Sequence, residues 1–232
     1  MMNSRFFILL VASVIVLSSC ASNEIGDSKD VNPEAVYFGY RVWGDEESGI
    51  VTVKLQYRFG GPDGTTLLLK DPASVTFDGE PMKADSSRFN GAYYELIKPA
   101  AEFNGKHEIV YTDHTERQYK QEFNFPFISL KTELPEEIKR GDIVFELNGA
   151  KENDRVRILM TDTSFYSRGI DRIDSVKDGR LVVPKYDLDD LMNGPIHLEL
   201  IREQEKPLDD TTPEGGKLSM SYALKREFVL TD

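Results

Sequence analysis

Every second residue from Val51 to Phe59 is apolar: Val51, Val53, Leu55, Tyr57 and Phe59 alternate with Thr52, Lys54, Gln56 and Arg58. A period of two puts one set of side chains on one face of an extended strand and the other set on the opposite face. Five matches in a row define a half-buried strand and leave no coherent apolar face for a helix. Residues 35–43 repeat the pattern with Val36, Phe38, Tyr40 and Val42. Further strands are predicted at 73–77, 92–97, 106–112 and 118–127, separated by Gly60-Gly61-Pro62-Asp63-Gly64, Asp78-Gly79, Asn90-Gly91 and Asn104-Gly105. These are turn-forming sequences. Many short strands at this spacing specify a sandwich or barrel.

The pattern restarts in the second half, with strands predicted at 128–134, 142–148, 154–161, 170–175, 180–184, 195–203 and 218–230. Leu218, Met220, Tyr222, Leu224, Phe228 and Leu230 share one parity in the last of these. Arg226 would face inward among them, so a bulge or a departure from the sheet is expected there. A faint repeat links the halves. Phe103-Asn104-Gly105 precedes the strand from Lys106, and Met192-Asn193-Gly194 precedes the strand from Pro195, each followed by a hairpin and a strand ending Glu-Phe. A penultimate strand entered through such a corner occurs in immunoglobulin sandwiches. The ordering resembles tandem immunoglobulin-like domains of bacterial surface proteins, although no Cys–Trp–Cys core signature is present. The expected fold is all-β, two tandem immunoglobulin-like β-sandwiches at 35–128 and 129–232, joined strand to strand without a flexible linker.

The N-terminus sets where such a chain resides. One cation, Arg5, precedes the twelve residues Phe6–Leu17, which are apolar except for Ser13, and small residues lead to Cys20. That is the layout of a secretory signal, and the run is too short for a bilayer span of ~20 residues. Leu17-Ser18-Ser19-Cys20 resembles the lipobox of bacterial lipoproteins, in which cleavage precedes a Cys that then carries lipid. Cys20 is the single cysteine of the chain, so it has no disulfide partner in an oxidising compartment. The resemblance implies a signal peptide at 1–19 and an acylated Cys20, with two or more acyl chains giving a stable anchor. The polar, acidic segment after Cys20 reads as a flexible tether through residue 34, reaching at most roughly 46–50 Å across residues 21–34. Its acids weakly resemble the surface-export signal of Bacteroidota lipoproteins. An outer-membrane location follows, on the surface or the periplasmic face.

Removing residues 1–19 removes Arg5 and no acid, which leaves 27 cationic residues against 40 acidic ones, a net charge near −13. This excludes nucleic acid, which requires a basic surface, and electrostatic adhesion to anionic lipid. His107 and His197 fall on predicted strands and His114 at a hairpin tip, none at metal-ligand spacing. Asp113-His114-Thr115-Glu116 reads as a solvated turn, Asp187 with Asp189 and Asp190 as a helix-start cap, and Asp209-Asp210 as part of a mobile 204–217 loop. No metal or cofactor site is expected. Nucleophile elbows, phosphate-binding Gly loops and Ser-x-x-Lys are all missing from the sequence. Two loops have recognition composition, Asp85–Gly91 and Thr161–Gly169. The second sets Phe165, Tyr166 and Arg168 among Ser and Thr, aromatics with Arg amid small polar groups. The plainer alternative is an inter-strand connection with Phe165 tucked into the core. Trp43, the sole Trp, lies on the face opposite Phe38 and Tyr40. It either packs between domains, which its burial value favours, or offers a stacking platform to carbohydrate.

The expectation from sequence is therefore a membrane-anchored, non-catalytic binding or scaffolding lipoprotein that presents sandwich loops to a protein or glycan partner. A glycan-processing enzyme or accessory protein and a structural envelope component acting through edge-strand pairing are the alternatives. Cys20→Ser is expected to abolish incorporation of an alkyne fatty acid in a lipoprotein-competent host, measured by in-gel fluorescence; undiminished labelling contradicts the lipobox.

Overall fold

The computed structural model describes residues 25–164 and 166–232, so Cys20, the signal segment and Phe165 lie outside the described residues. In the first half the strands are β1 (Ile25–Asp27), β2 (Val36–Asp45), β3 (Ile50–Phe59), β4 (Thr65–Leu68), β5 (Ser74–Phe77), β6 (Glu80–Pro81), β7 (Ala84–Ser87), β8 (Gly91–Pro99), β9 (Lys106–Thr112) and β10 (Gln118–Asn124). The order β2-β3-β8-β7 forms one sheet and β10-β9-β5-β6 the other. These are the A-B-E-D and G-F-C-C′ layers of an immunoglobulin sandwich. The alternation read from sequence is what closes it: Val51, Val53, Leu55 and Tyr57 are fully buried beside Val36, Phe38, Tyr40 and Val42. Phe59, which shares their parity, ends β3 next to the Gly60-Gly61 turn and is exposed.

The second half comprises β11 (Ser129–Leu130), β12 (Glu137–Lys139), β13 (Ile143–Asn148), β14 (Arg155–Asp162), β15 (Ile170–Ser175), β16 (Arg180–Val183), β17 (Gly194–Pro207) and β18 (Gly216–Thr231). Here β11-β13-β16 faces β12-β18-β17-β14-β15, again an immunoglobulin order. Short 3-10 helices, Ala100–Glu102 and Lys185–Asp190, precede β9 and β17. The amides of Phe103 and Leu191 close them onto Ala100 and Leu188. The equivalent corner residues are thus the buried Phe103 and Leu191. Met192, which the Asn-Gly pairing aligned with Phe103, is exposed because the second corner is one residue longer.

The two sandwiches share a sheet. β18 pairs antiparallel with β17 along its whole length, and its first eight residues, 216–223, pair parallel with 38–45 of β2. The β17–β18 hairpin therefore starts in the second sandwich and ends against the first. Its expected mobile tip is corrected to a short, docked turn. Asp209 N donates to Gln121 Oε1 (2.8 Å), Gln121 Nε2 to Asp209 Oδ2 (3.0 Å), Lys120 N to Asp210 Oδ2 (2.9 Å), and Thr212 Oγ1 to the Val36 carbonyl (2.7 Å). Asp209 and Asp210 thus bind strand β10, and paired backbone extends the strands to 207 and back to 216.

Three more expectations are corrected. The tether does not run to residue 34: Ile25–Asp27 adds to β4 as a parallel strand, Ser28 is buried, and its Oγ accepts from Lys70 N (3.0 Å). Polar composition hid this, since the contacts are backbone pairing and one hydroxyl. Arg226 causes no bulge. It stays in register opposite Leu198 and reaches Glu46 (2.6 Å) and Glu133 (2.7 Å), so its inward charge is neutralised in place. Asp187 does not cap its helix, whose N-cap is Pro184; it pairs with Arg172.

Register fixes the long axis. Ile25 lies opposite Thr66, Thr66 opposite Arg58, and Arg58 opposite Tyr37, one residue before the partner of Gly216; Gly194 lies opposite Leu230. Fifteen residues along β18 separate these levels, roughly 50 Å at about 3.3 Å per residue. Ile25 and the Lys185–Asp190 corner therefore occupy opposite ends. At the junction Phe125 and Phe127 pack edge-on against Tyr222 at 6.0 and 5.0 Å. The buried Arg202 binds Asp154 (2.6 Å) and the Gly149 carbonyl (2.9 Å). Asp154→Ala, which strands that charge, is expected to cost about 3 kcal/mol in urea unfolding, with much of the loss recovered on adding Arg202→Met; an unchanged midpoint contradicts the pairing.

Candidate binding surfaces

The 163–169 loop joins β14 to β15 at the end remote from Ile25. Asp162 builds it: its Oδ1 accepts from Ser164 N (2.7 Å) and its Oδ2 from Met192 N (2.6 Å), which ties the loop to the corner before β17. Ser167 Oγ donates to the Asp190 carbonyl (2.9 Å) and accepts from Gly169 N (3.1 Å). Gly169 closes the loop at φ +65, where a Cβ would sit 2.8 Å from the Met160 carbonyl, a conformation open to glycine. Burial opposes the charge on Asp162, but the Met192 and Ser164 amides and the Ser167 hydroxyl outweigh it and hold the carboxyl below the ordinary aspartate range. The anchored loop exposes Tyr166 at 98%, with Arg168 also exposed beside it. The adjoining corner adds Tyr186 and Met192, 72% and 60% exposed. Neither stands out in the sequence, because a helix-like corner carries no visible orientation. Phe165 lies outside the described residues.

Trp43 is elsewhere. It sits on β2 in a cross-strand row, Arg155 opposite Glu203, Glu203 opposite Ser221 and Ser221 opposite Trp43, that runs from the second sandwich into the first. The neighbouring row holds Glu205, Ser219 and Arg41. Side chains of paired residues project from the same face, so two serines on β18 lie between long side chains on β2 and β17. The result is a groove of about 520 Å³ across the junction. Arg41 and Lys54 lie over the indole at 5.5 and 6.0 Å. Seven residues of β18 separate the Trp43 row from the Ile196–Phe228 level at which the Tyr166 loop begins. That is roughly 23 Å, so Trp43 and Tyr166 do not form one site.

The remaining sequence candidates serve structure. Asp113 is buried and accepts from Thr115 N, Thr115 Oγ1 and Arg117 N, so its own turn occupies the carboxylate. His107 is buried against Phe103, ring centroids 3.9 Å apart, and its Nδ1 meets Asp78 at 2.8 Å. His197 pairs with Glu227 on the surface. Among the described residues no group of three or more His, Cys, Asp or Glu is placed to hold a metal ion. The Asp85–Gly91 segment is mostly strand, with a tight turn that exposes Phe89 at the Ile25 end.

No protein-family model and no curated protein matches the chain. Among solved structures it is similar to a tetra-tandem repeat from the extending region of a large adhesion protein (15% identity, 76% of this chain and 56% of that one, TM-score 0.22). It is also similar to Bacteroides ovatus mixed-linkage glucan utilization locus SGBP-B in complex with a mixed-linkage heptasaccharide (11%, 76% and 54%, 0.20) and to domains A168–A170 of titin (8%, 85% and 66%, 0.27). The chain thus spans little more than half the length of the first two. Likenesses at these scores carry no argument; the fold rests on the strand order above.

Asp162 contributes stability that is present above the unfolded-state aspartate pKa near 3.9 and is lost as pH falls through its lowered folded value. Backbone 15N relaxation is expected to show the Ser164 and Met192 amides ordered at pH 6 and mobile in acid below the ordinary aspartate range. In Asp162→Asn they should be mobile at both. Order that persists in that variant contradicts the anchoring role of the carboxylate.

Proposed function

We propose that the chain is a membrane-anchored, non-catalytic binding or scaffolding lipoprotein of the bacterial cell surface that presents the 163–169 loop and the adjoining corner to a protein or glycan partner. The observation that carries this reading is Tyr166, 98% exposed on a loop whose backbone is tied at Asp162, Ser164, Ser167 and Gly169. An aromatic ring held in water on an ordered loop gains nothing for the fold and supplies a rigid contact to a partner at low entropic cost. The axis supports the reading: the loop begins roughly 43 Å along β18 from Ile25, five residues after Cys20. An acyl chain on Cys20 would set this end away from the membrane. No helix among the described residues is long and apolar enough to cross a membrane.

The test is a benzophenone amino acid at position 166 in intact cells, compared with the same probe at Val144, half-exposed on the opposite sheet. A discrete adduct from 166, absent from 144 and weakened several-fold by Arg168→Ala, is expected. Equal adducts from both positions, or none from 166, overturn the assignment of the tip.

A further inference from the structure

The geometry points to a second binding site, distinct from the tip: the groove over β18 holds a single extended oligosaccharide chain bearing acidic sugars. The shape follows from the sheet. β18 presents Ser219 and Ser221 to this face, while its neighbours present Arg41 and Trp43 on β2 and Glu203 and Glu205 on β17. Two strand spacings separate β2 from β17, about 10 Å between backbones. Short side chains between tall ones leave a trough one chain wide, of about 520 Å³, within the range of ligand sites.

Chemistry selects the occupant. The backbone groups of β18 here are shared between β2 and β17, so an incoming peptide finds no edge to extend and loses the main-chain hydrogen bonds on which strand addition depends. What remains is read by side chains alone: hydroxyl, carboxylate, guanidinium and one indole. That set matches the hydroxyls and apolar ring face of a sugar. The charges then discriminate. Glu203 pairs with Arg157 (3.2 Å), which also meets Asp171 (3.0 Å), and Glu205 pairs with Lys217 (3.1 Å) and accepts from the Ser219 hydroxyl (3.3 Å), so both carboxylates are already engaged. Arg155 has no ion-pair or hydrogen-bond partner among the described residues, and Arg41 only rests over the indole. In a chain of net charge −12, two uncompensated guanidiniums at one groove are a local complement to carboxylates, which they bind in bidentate fashion. Arg41 lies near the outer limit of a cation–π contact, free to turn from the ring to an anion as sugar stacks on Trp43.

Trp43 is the sole Trp, so its fluorescence reports the groove directly. Detergent-solubilised full-length protein is titrated with oligogalacturonate, with a neutral cello-oligosaccharide of equal length and with poly-glutamate, and is screened on an array of uronate- and sialate-bearing glycans. A saturable change with an acidic oligosaccharide is expected, with at least ten-fold weaker binding to neutral sugar and to polypeptide. Arg155→Ala should weaken it ten-fold or more, and Ser221→Val, which fills the trough on a strand-compatible side chain, should abolish it without lowering the melting temperature. Tyr166→Ser should leave it unchanged, which separates this site from the tip. No saturable change with any acidic glycan overturns the proposal. So does a change that survives Arg155→Ala and Ser221→Val, or equal binding of neutral sugar or poly-glutamate.

Discussion

Strand β18 is hydrogen-bonded to partners from both halves of the chain, and the rest of the architecture depends on that double pairing. Its antiparallel partner β17 belongs to the second sandwich, and its parallel partner β2 to the first. An immunoglobulin sandwich standing alone leaves its A strand as an open edge, a liability that proteins cover or blunt. Here the edge of β2 is covered by the chain's own last strand. Close approach demands Gly216, where a Cβ would meet the Phe38 carbonyl at 2.8 Å. Because eight residues are paired, the halves are set by the twist of one sheet rather than by a linker. The junction salt bridge of Arg202 and the aromatic contacts at Tyr222 then fill what the shared strand brings together.

The two cores solve the same packing problem with different side chains. The first is aromatic: Phe38 meets Tyr111, Tyr119 and Tyr57 edge-on at 5.0, 5.3 and 5.5 Å, and Tyr57 stacks on Tyr111 at 4.3 Å. Such pairs prefer edge-to-face and offset geometries. The Tyr40 and Tyr57 hydroxyls satisfy each other at 3.2 Å. Burial pushes both phenols far above the ordinary tyrosine range, so the pair stays neutral and linked at physiological pH. The second core is mostly aliphatic, with Ile158, Met160, Leu181 and Leu188 fully enclosed. Against it the long hairpin rises toward the corner that carries the exposed aromatic end.

Much of this was legible in the chain. Period-two alternation found the strands because each sandwich buries one face: Val51, Val53, Leu55 and Tyr57 are all fully buried, and of the residues between them Thr52 alone is buried too. Turn chemistry at Asp78-Gly79 and Asn104-Gly105 placed the reversals, and the corner repeat pointed to the strand order. The misreadings share a cause. Ile25–Asp27 and the 204–217 hairpin lie in largely polar stretches and Arg226 is charged, and each is held by backbone pairing or by ions from distant sequence, which no local pattern reveals. Likewise Tyr166 and Arg168 stood out by composition, whereas Tyr186 and Met192 join them only through Asp162 and Ser167.

The sequence by itself determined the class of fold, since a repeated two-residue period with glycine turns admits little but packed antiparallel sheets. It also determined the net acidic surface and the lone cysteine. Tertiary structure decided how the halves join, which polar segments are ordered, and that the groove beside Trp43 is assembled from β2, β17 and β18. The reason is physical. Burial periodicity is a property of neighbours along the chain, while register, shared edges and the compensation of charges depend on residues brought together from more than a hundred positions apart, such as Trp43 opposite Ser221.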